Sequence, residues 1–384
     1  MERLIRVIPL ILILTITSCR QKENPVLRTL EDGVEIVLND PGFDSSPPPR
    51  ILELRRELVI DLSSFDLVQR GLSDPAAFDV DAAGNLLVWS QSSNDAHFFK
   101  FSPAGVLLAA FGRSGQGPGE VRFLTSAYFE ASGELMAWDS AQSKMVFFDE
   151  DGVVLRQNTL SRRPSLIVPL GDGRYVTLEQ EPDPVERLTI VRTLICGPDL
   201  EIVKEIGRKK VTWPGPGRRF PALQSPILLA VSRNYVFFGN SEAGYEIACY
   251  EKSGLLKRIV RKVYQPVPLS AEDRSGLIKT YEGFPPEFRA NVEYPDKFPP
   301  YQMGFADDED RLFVMTYEES GEKGHYWHDV FGRDGEFAGR VSLGNYGTYA
   351  RSQGILFALA RRGRIYHFRE KADGFKEMVV WRMK

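Results

Sequence analysis

The stretch Ala110–Val121, AFGRSGQGPGEV, places four glycines, Gly112, Gly115, Gly117 and Gly119, within eight positions. Glycines at that density let backbone amides close around a phosphate. That chemistry needs a strand leading in, a helix leading out, and a Lys with Ser or Thr at fixed spacing. Here VRFLTSAYF follows, which has a strand pattern, and Gly-Lys-Ser/Thr is absent. Pro118 removes one amide donor and Glu120 adds negative charge. The stretch reads as a connector whose glycines permit sharp turns. Part of it returns in EIGRKKVTWPGPGRRF, Glu205 to Phe220, as Gly-Arg, Gly-Pro-Gly, a basic residue and Phe.

Four histidines are present, His97, His325, His328 and His367. A zinc site needs convergent ligands. In HYWH, His325 and His328 are three apart, so on a strand they point to opposite faces. The acidic run ADDEDR, with Asp307 to Asp310, carries the oxygen ligands that calcium takes. Such a run is more often a solvated turn. Ser/His/Asp and Cys/His spacings are not apparent. The sequence therefore assigns no catalytic residue, no metal ligand and no cofactor. Cys196 and Cys249 fall in different repeats and at different strand phases, so they are expected to stay unpaired.

The elements that must position these residues are strands. The 384 residues are 43% hydrophobic and 26% charged, enough to bury a core. Net charge is −4, which supplies no global basic field for nucleic acid. Six segments share the pattern strand, turn, strand: AAFDVDAAGNLLVWS from Ala76, SAYFEASGELMAWDS from Ser126, SLIVPLGDGRYVTLEQ from Ser165, ILLAVSRNYVFFGNS from Ile227, QMGFADDEDRLFVMTY from Gln302 and GTYARSQGILFALAR from Gly347. A third and fourth strand follow each. The four histidines fall on or beside third strands, away from a channel lined by first strands. An aromatic stands four residues before a turn glycine in several copies: Phe101 and Gly105, Phe148 and Gly152, Tyr250 and Gly254, Phe331 and Gly335.

Six copies of a four-stranded antiparallel unit predict an all-β fold, a six-bladed β-propeller over residues 51–384. The lone strand in ILELRRELVIDLSS, Ile51 to Ser64, is expected to pair near EMVVWRMK and close the ring. Residues 266–301 break the β pattern as an insertion between blades four and five. Ser270 and Asp273 form a candidate capping box for a helix through Tyr281, with prolines after it.

Residues 1–18 read as a signal peptide: Arg3 and Arg6, then an apolar run from Val7 to Ile16 that is too short to span a bilayer. Ile16-Thr17-Ser18-Cys19 resembles the bacterial lipobox, with Cys19 lipidated as the mature N-terminus. Arg20 after it, rather than aspartate, points to the outer membrane. Residues 19–50 read as a tether holding a short hairpin around Asp32-Gly33.

FGRSGQGPGEVRF before a strand, and FDVDAAGNLLVW followed by FKFSPAG, resemble the NHL-type six-bladed propeller repeat. The lipobox, the GQGPGE connector and the Pro-rich insertion together resemble the bacterial six-bladed propeller lipoproteins. The resemblance covers roughly residues 50–384 and implies fold and envelope location. It carries over no catalytic residue.

Charge placement predicts one more basic face. Fourth-to-first connectors bring Arg113, Arg122, Arg162, Arg163, Arg208, Lys209, Lys210, Arg218 and Arg219 there, and Arg361, Arg362 and Arg364 are read beside them. The opposite face takes Asp81, Asp149–Asp151, Asp172, Asp307–Asp310, Asp334 and Asp373. That polarity fits an anionic partner: a glycan, a lipid headgroup or an acidic protein. The expected function is a monomeric, lipid-anchored binding or scaffold module. The alternative is a metal-dependent hydrolase or lyase working at the channel.

Overall fold

A computed structural model describes residues 26–40, 50–91, 96–215, 217–344 and 358–384. Six antiparallel sheets form the blades. Blade one is Pro75–Val80, Leu86–Ser90, Phe98–Phe101 and Leu107–Phe111. Blade two is Leu124–Phe129, Leu135–Asp139, Lys144–Phe148 and Val154–Thr159. Blade three is Leu166–Pro169, Tyr175–Asp183, Leu188–Cys196 and Ile202–Val211. Blade four is Ile227–Val231, Tyr235–Asn240, Glu246–Glu251 and Leu256–Lys262. Blade five is Met303–Ala306, Leu312–Glu319, His325–Phe331 and Phe337–Gly344. Blade six is Ala358–Arg361, Arg364–Glu370 and Lys376–Met383, completed by Leu54–Asp61. First strands of neighbouring blades lie against one another around the axis. The middle strands, such as LLVWS, LMAWD and KMVFF, are buried throughout because each sheet is covered on both faces by its neighbours. The outermost strand of blade two is exposed along its length.

The recurring aromatic and glycine mark one device. The ladder shifts register at Phe101, Phe148, Tyr250 and Phe331. The glycine four residues on turns the chain at φ between 82° and 88°. It also presses on the outer strand of the preceding blade: a Cβ on Gly152 would meet the Phe111 ring at 2.4 Å. Blade three keeps the geometry with other residues. Cys196 takes the aromatic's place, and Leu200 adopts φ 59°.

The ring closes as expected, Met378 pairing with Ile60 and Val380 with Leu58. Closure corrects the reading of blade six. The clasp supplies the fourth strand, so the C-terminal segment supplies only three. Ala358–Arg361 is therefore the first strand and Arg364–Glu370 the second. Residues 345–357 lie outside the described residues. Arg361, Arg362 and Arg364 accordingly flank a first-to-second turn, on the face they were expected to oppose. The Arg362 amide donates to Asp308 at 3.1 Å, and its Nη1 donates to the Ala82 carbonyl at 2.6 Å. Asp373 moves to the other face, and His367 moves to a second strand.

The hairpin Val26–Glu31 and Val34–Asn39 forms as expected, with Asp32 and Gly33 at positive φ. It does not hang free. Val34–Asn39 pairs parallel with Leu256–Lys262 and widens blade four to six strands, burying Ile36 and Val37. Its Asn39 reaches blade five, donating to Gly335 O at 3.0 Å and accepting the Phe337 amide at 2.8 Å. Leu52 then donates to Arg340 O on blade five before the chain enters blade six. One N-terminal arm thus touches three blades.

The insertion holds the helix Ala271–Tyr281, with the Ser270–Asp273 capping box, and the short helix Pro286–Arg289. Neither helix buries a residue. The insertion is tied down by Val292–Glu293, which pairs parallel with Phe220–Pro221, and by the Tyr281 hydroxyl, which donates to Ala222 O at 2.9 Å.

Candidate binding site at the seam of blades four and five

The glycine-rich connector is already occupied by its own side chain. The Glu120 carboxylate accepts the Gly117 amide at 2.8 Å, and Gly119 donates to Gln157 on the outer strand of blade two. Lys144, buried, donates to Gly117 O and Glu120 O at 3.2 and 2.6 Å. Asp139 accepts the amides of Arg122 and Phe123. The amides of Gly115, Gly117 and Gly119 that a phosphate would need are spent on acceptors of the chain itself: Val121 O, the Glu120 carboxylate and the Gln157 side chain. The second copy does not repeat this geometry: Gly207 lies inside a strand against the Phe238 ring.

The basic residues separate into two groups. Arg162 pairs with Glu179, Arg208 with Glu205, Lys210 with Glu186 and Arg219 with Glu293. Lys209 is buried and donates to Ser225 O, and Arg218 donates to Glu186 O. Arg113, Arg122 and Arg163 are exposed.

The acidic run does not converge. Asp307 accepts the amides of Glu309 and Arg311, Asp308 accepts that of Arg362, and Asp310 accepts from Ser232 and Asn234 on blade four. His328 and His367 are buried between strands. Desolvation pushes His328 down to about 4 and His367 down to about 3. The Trp381 indole donates to His367 Nδ1 at 3.0 Å, which places the ring proton on Nε2 toward Gly344 O. Cys196 and Cys249 are both free and buried, and burial pushes the Cys249 thiol up to about 12. Cys19 lies outside the described residues.

The seam between blades four and five gathers ionisable groups that the sequence did not single out. Lys262 and Asp329 form an ion pair at 2.6 Å with side chains 1% and 0% exposed. The Tyr245 hydroxyl donates to the same Asp329 oxygen at 2.7 Å, and Arg340 Nε donates to the other at 2.8 Å. Arg340 also grips Glu318 at 2.6 Å. Burial lowers the Lys262 pKa even with Asp329 beside it, and it raises that of Tyr245, with Asp329 adding to the rise. Burial opposes the Arg340 charge, but Glu318 and Asp329 hold its pKa above the ordinary value. The adjoining cavity, roofed by Pro299 and Pro300 of the insertion, measures about 10 Å³, room for roughly one water. This knot therefore joins blade four to blade five and leaves no space for a substrate.

On the opposite face of the same seam an open groove of about 380 Å³ is lined by Tyr235, Arg258, Arg333 and Asp334. Tyr235 begins the second strand of blade four, and Arg258 lies on its outer strand. Arg333 and Asp334 stand in the third-to-fourth turn of blade five. Arg258 is only 11% exposed and is fixed by Glu35 of the hairpin at 3.0 Å and by Arg333 O. Arg333 is 70% exposed, and its nearest acid, Asp310, is 3.8 Å away. The groove presents an aromatic ring and one available guanidinium. It was hidden in the sequence because its walls come from turns roughly 100 residues apart.

Fold and site together define a six-bladed β-propeller with an open groove between two blades. No protein-family model matches the chain, and no curated protein matches it. Among solved structures, it is similar to a Bacteroides fragilis protein named for its expected export, at TM-score 0.53 and 15% identity, covering 91% of this chain and 99% of that one. It is also similar to a member of the DUF4221 family from Bacteroides vulgatus, at TM-score 0.51 and 12% identity, covering 87% and 98%. At these identities the likeness is one of fold.

Proposed function

We propose that the protein is an exported, lipid-anchored binding or scaffold module of the cell envelope, and that its ligand engages the groove between blades four and five. The observation that carries this reading is the contrast at that seam. Ionisable groups of the buried knot are consumed by one another, whereas the groove offers Tyr235 and an exposed Arg333 to solvent. Concave sites of some hundreds of Å³ with a few polar groups are the usual form of a small-ligand site. The Ile16-Thr17-Ser18-Cys19 sequence supports the anchor, and the propeller fold shared with a protein named for its expected export agrees with it. No helix among the described residues is long and apolar enough to cross a membrane.

Two experiments test the reading. Cys19→Ser should move the protein from the membrane to the soluble fraction; unchanged membrane association and processing would remove the anchor. A thermal-shift screen of the full chain in mild detergent, against sugars, peptides, anions and divalent metals, should give a saturable rise in melting temperature that Arg333→Ala weakens. Stabilisation by a metal alone, with hydrolytic turnover, would favour an enzyme instead.

A further inference from the structure

We infer that the groove takes a carboxylate-bearing sugar, with the ring face of a uronic acid on Tyr235 and its carboxylate on Arg333. The inference rests on the reading of the protein as a binding module and names the ligand class of that same site.

The sign of the ligand follows from which charges are spent. Around the groove Glu35 is held by Arg28 and Arg258, Glu336 by Arg28, Asp310 by Ser232 and Asn234, and the lining Asp334 by the Glu336 amide at 3.1 Å with Arg28 at 3.6 Å. The Arg333 guanidinium makes no hydrogen bond among the described residues, and its one acid lies at 3.8 Å. A planar fork with free donors matches a carboxylate in two parallel hydrogen bonds. A single available guanidinium suits a monoanion.

The body of the ligand follows from the remaining walls. An aromatic ring beside the fork gives the C–H face of a sugar ring an apolar platform. A peptide that adds as a strand would need a free strand edge. The outer edge of blade four is covered by Val34–Asn39, the outer strand of blade five is bonded to Arg50 and Leu52, and Arg333 O is taken by Arg258. Among the described residues no edge of blade four or five at this groove is left for an added strand, which favours a ring.

The test is isothermal titration of the full-length protein, in detergent, with the methyl glycosides of galacturonic and glucuronic acid and with the methyl esters of both. The ester keeps the shape and removes the charge. At least one acid should bind, and its ester should bind about tenfold more weakly, the ratio expected for one lost charged hydrogen-bonded pair. Arg333→Ala should cause a similar loss with an unchanged melting temperature, and Arg333→Lys a smaller one. Arg113→Ala, on the other face, should bind as the parent does. Equal affinity for acid and ester, binding that survives Arg333→Ala, or a polyglutamate peptide binding as tightly at the same groove would each overturn the inference. No binding of either acid would overturn it as well, yet a saturable hit with another ligand in the thermal screen would leave the binding-module reading standing.

Discussion

The Glu120 carboxylate accepts the Gly117 amide at 2.8 Å, while the Glu120 amide donates back to Gly117 O at 3.2 Å. A Cβ on Gly115 would lie 2.0 Å from Glu120 Oε2. The glycines are thus required by an anion, but the anion is tethered three residues away in the same loop. A phosphate signature and a self-filled turn share composition because both need small residues around negative charge.

Glu120→Ala leaves a partly buried amide without its acceptor. The expected cost is about 1–2 kcal/mol, read as a shift in the urea midpoint. Glu120→Gln keeps an acceptor in place and should retain most of the stability. Millimolar phosphate should leave the melting temperature of the parent unchanged. A saturable phosphate-dependent rise would mean that the loop opens to external anions.

Gly133 and Gly152 both adopt positive φ, 90° and 82°. A Cβ on Gly133 meets nothing within 4 Å, whereas one on Gly152 meets Phe111 at 2.4 Å. Alanine at Gly133 should cost about 1 kcal/mol for the backbone conformation alone. Alanine at Gly152 should cost that plus roughly 1–3 kcal/mol more, because the blade-one strand must shift. Equal losses would show that the turn glycine does not serve packing between blades.

The repeat was legible in the sequence because strand period and turn residues are local signals, and so was the insertion helix through Ser270 and Asp273. The clasp was legible as a strand without a unit of its own. What failed depended on partners far along the chain. Blade six was read one strand out of place because the turn at Gly374 has the same hydrogen bonding as the third-to-fourth turn at Gly152, and only the clasp decides which strand it follows. The docking of Val34–Asn39 on Leu256–Lys262 is a parallel pairing over some 220 residues, which no local pattern announces. The basic connectors were visible as charge, but their acidic partners, such as Glu186 for Lys210 and Glu293 for Arg219, lie on segments that only the fold brings back. Tyr235 and Arg333 are ordinary turn-flanking residues until two blades meet.

Stability should fall with acid through His328 and His367. Both are neutral in the folded state, with pKa values pushed down to about 4 and about 3 by burial, against an ordinary value of 6.5. Below pH 6.5 the unfolded chain binds protons that the folded chain refuses, so stability declines as pH falls toward 4 and is complete above 6.5. Each histidine contributes a slope approaching about 1.4 kcal/mol per pH unit. Buried Asp79 and Asp307, raised by desolvation, act in the opposite direction. The histidine share is therefore the difference between the parent and a His328→Gln/His367→Gln variant in urea midpoints at pH 7, 5.5 and 4.5. Gln at 367 can still accept from Trp381 and donate to Gly344. Parallel pH curves for the two proteins would contradict the buried, neutral assignment.

Lys262 and Asp329 should prove unequal partners. Asp329→Ala strands a buried ammonium, a buried tyrosine hydroxyl and one edge of Arg340, since all three converge on that carboxylate. Lys262→Met removes a charge but leaves Asp329 held by Tyr245 and Arg340, and its apolar chain can lie against the Tyr245 and Phe337 rings that the ammonium now faces at 5.3 and 5.0 Å. Breaking a buried pair by deleting one ion costs about 3–5 kcal/mol when the other is left unpaired. That loss is expected for Asp329→Ala, and a clearly smaller one for Lys262→Met, both measured by urea denaturation at pH 7. Because the knot joins blades four and five beside the end of the insertion, Asp329→Ala should also speed amide exchange in Met303–Ala306 and Glu246–Glu251 more than in blades one and two. Equal costs for the two variants, or exchange that rises evenly around the ring, would mean that Asp329 is not the hub of this seam.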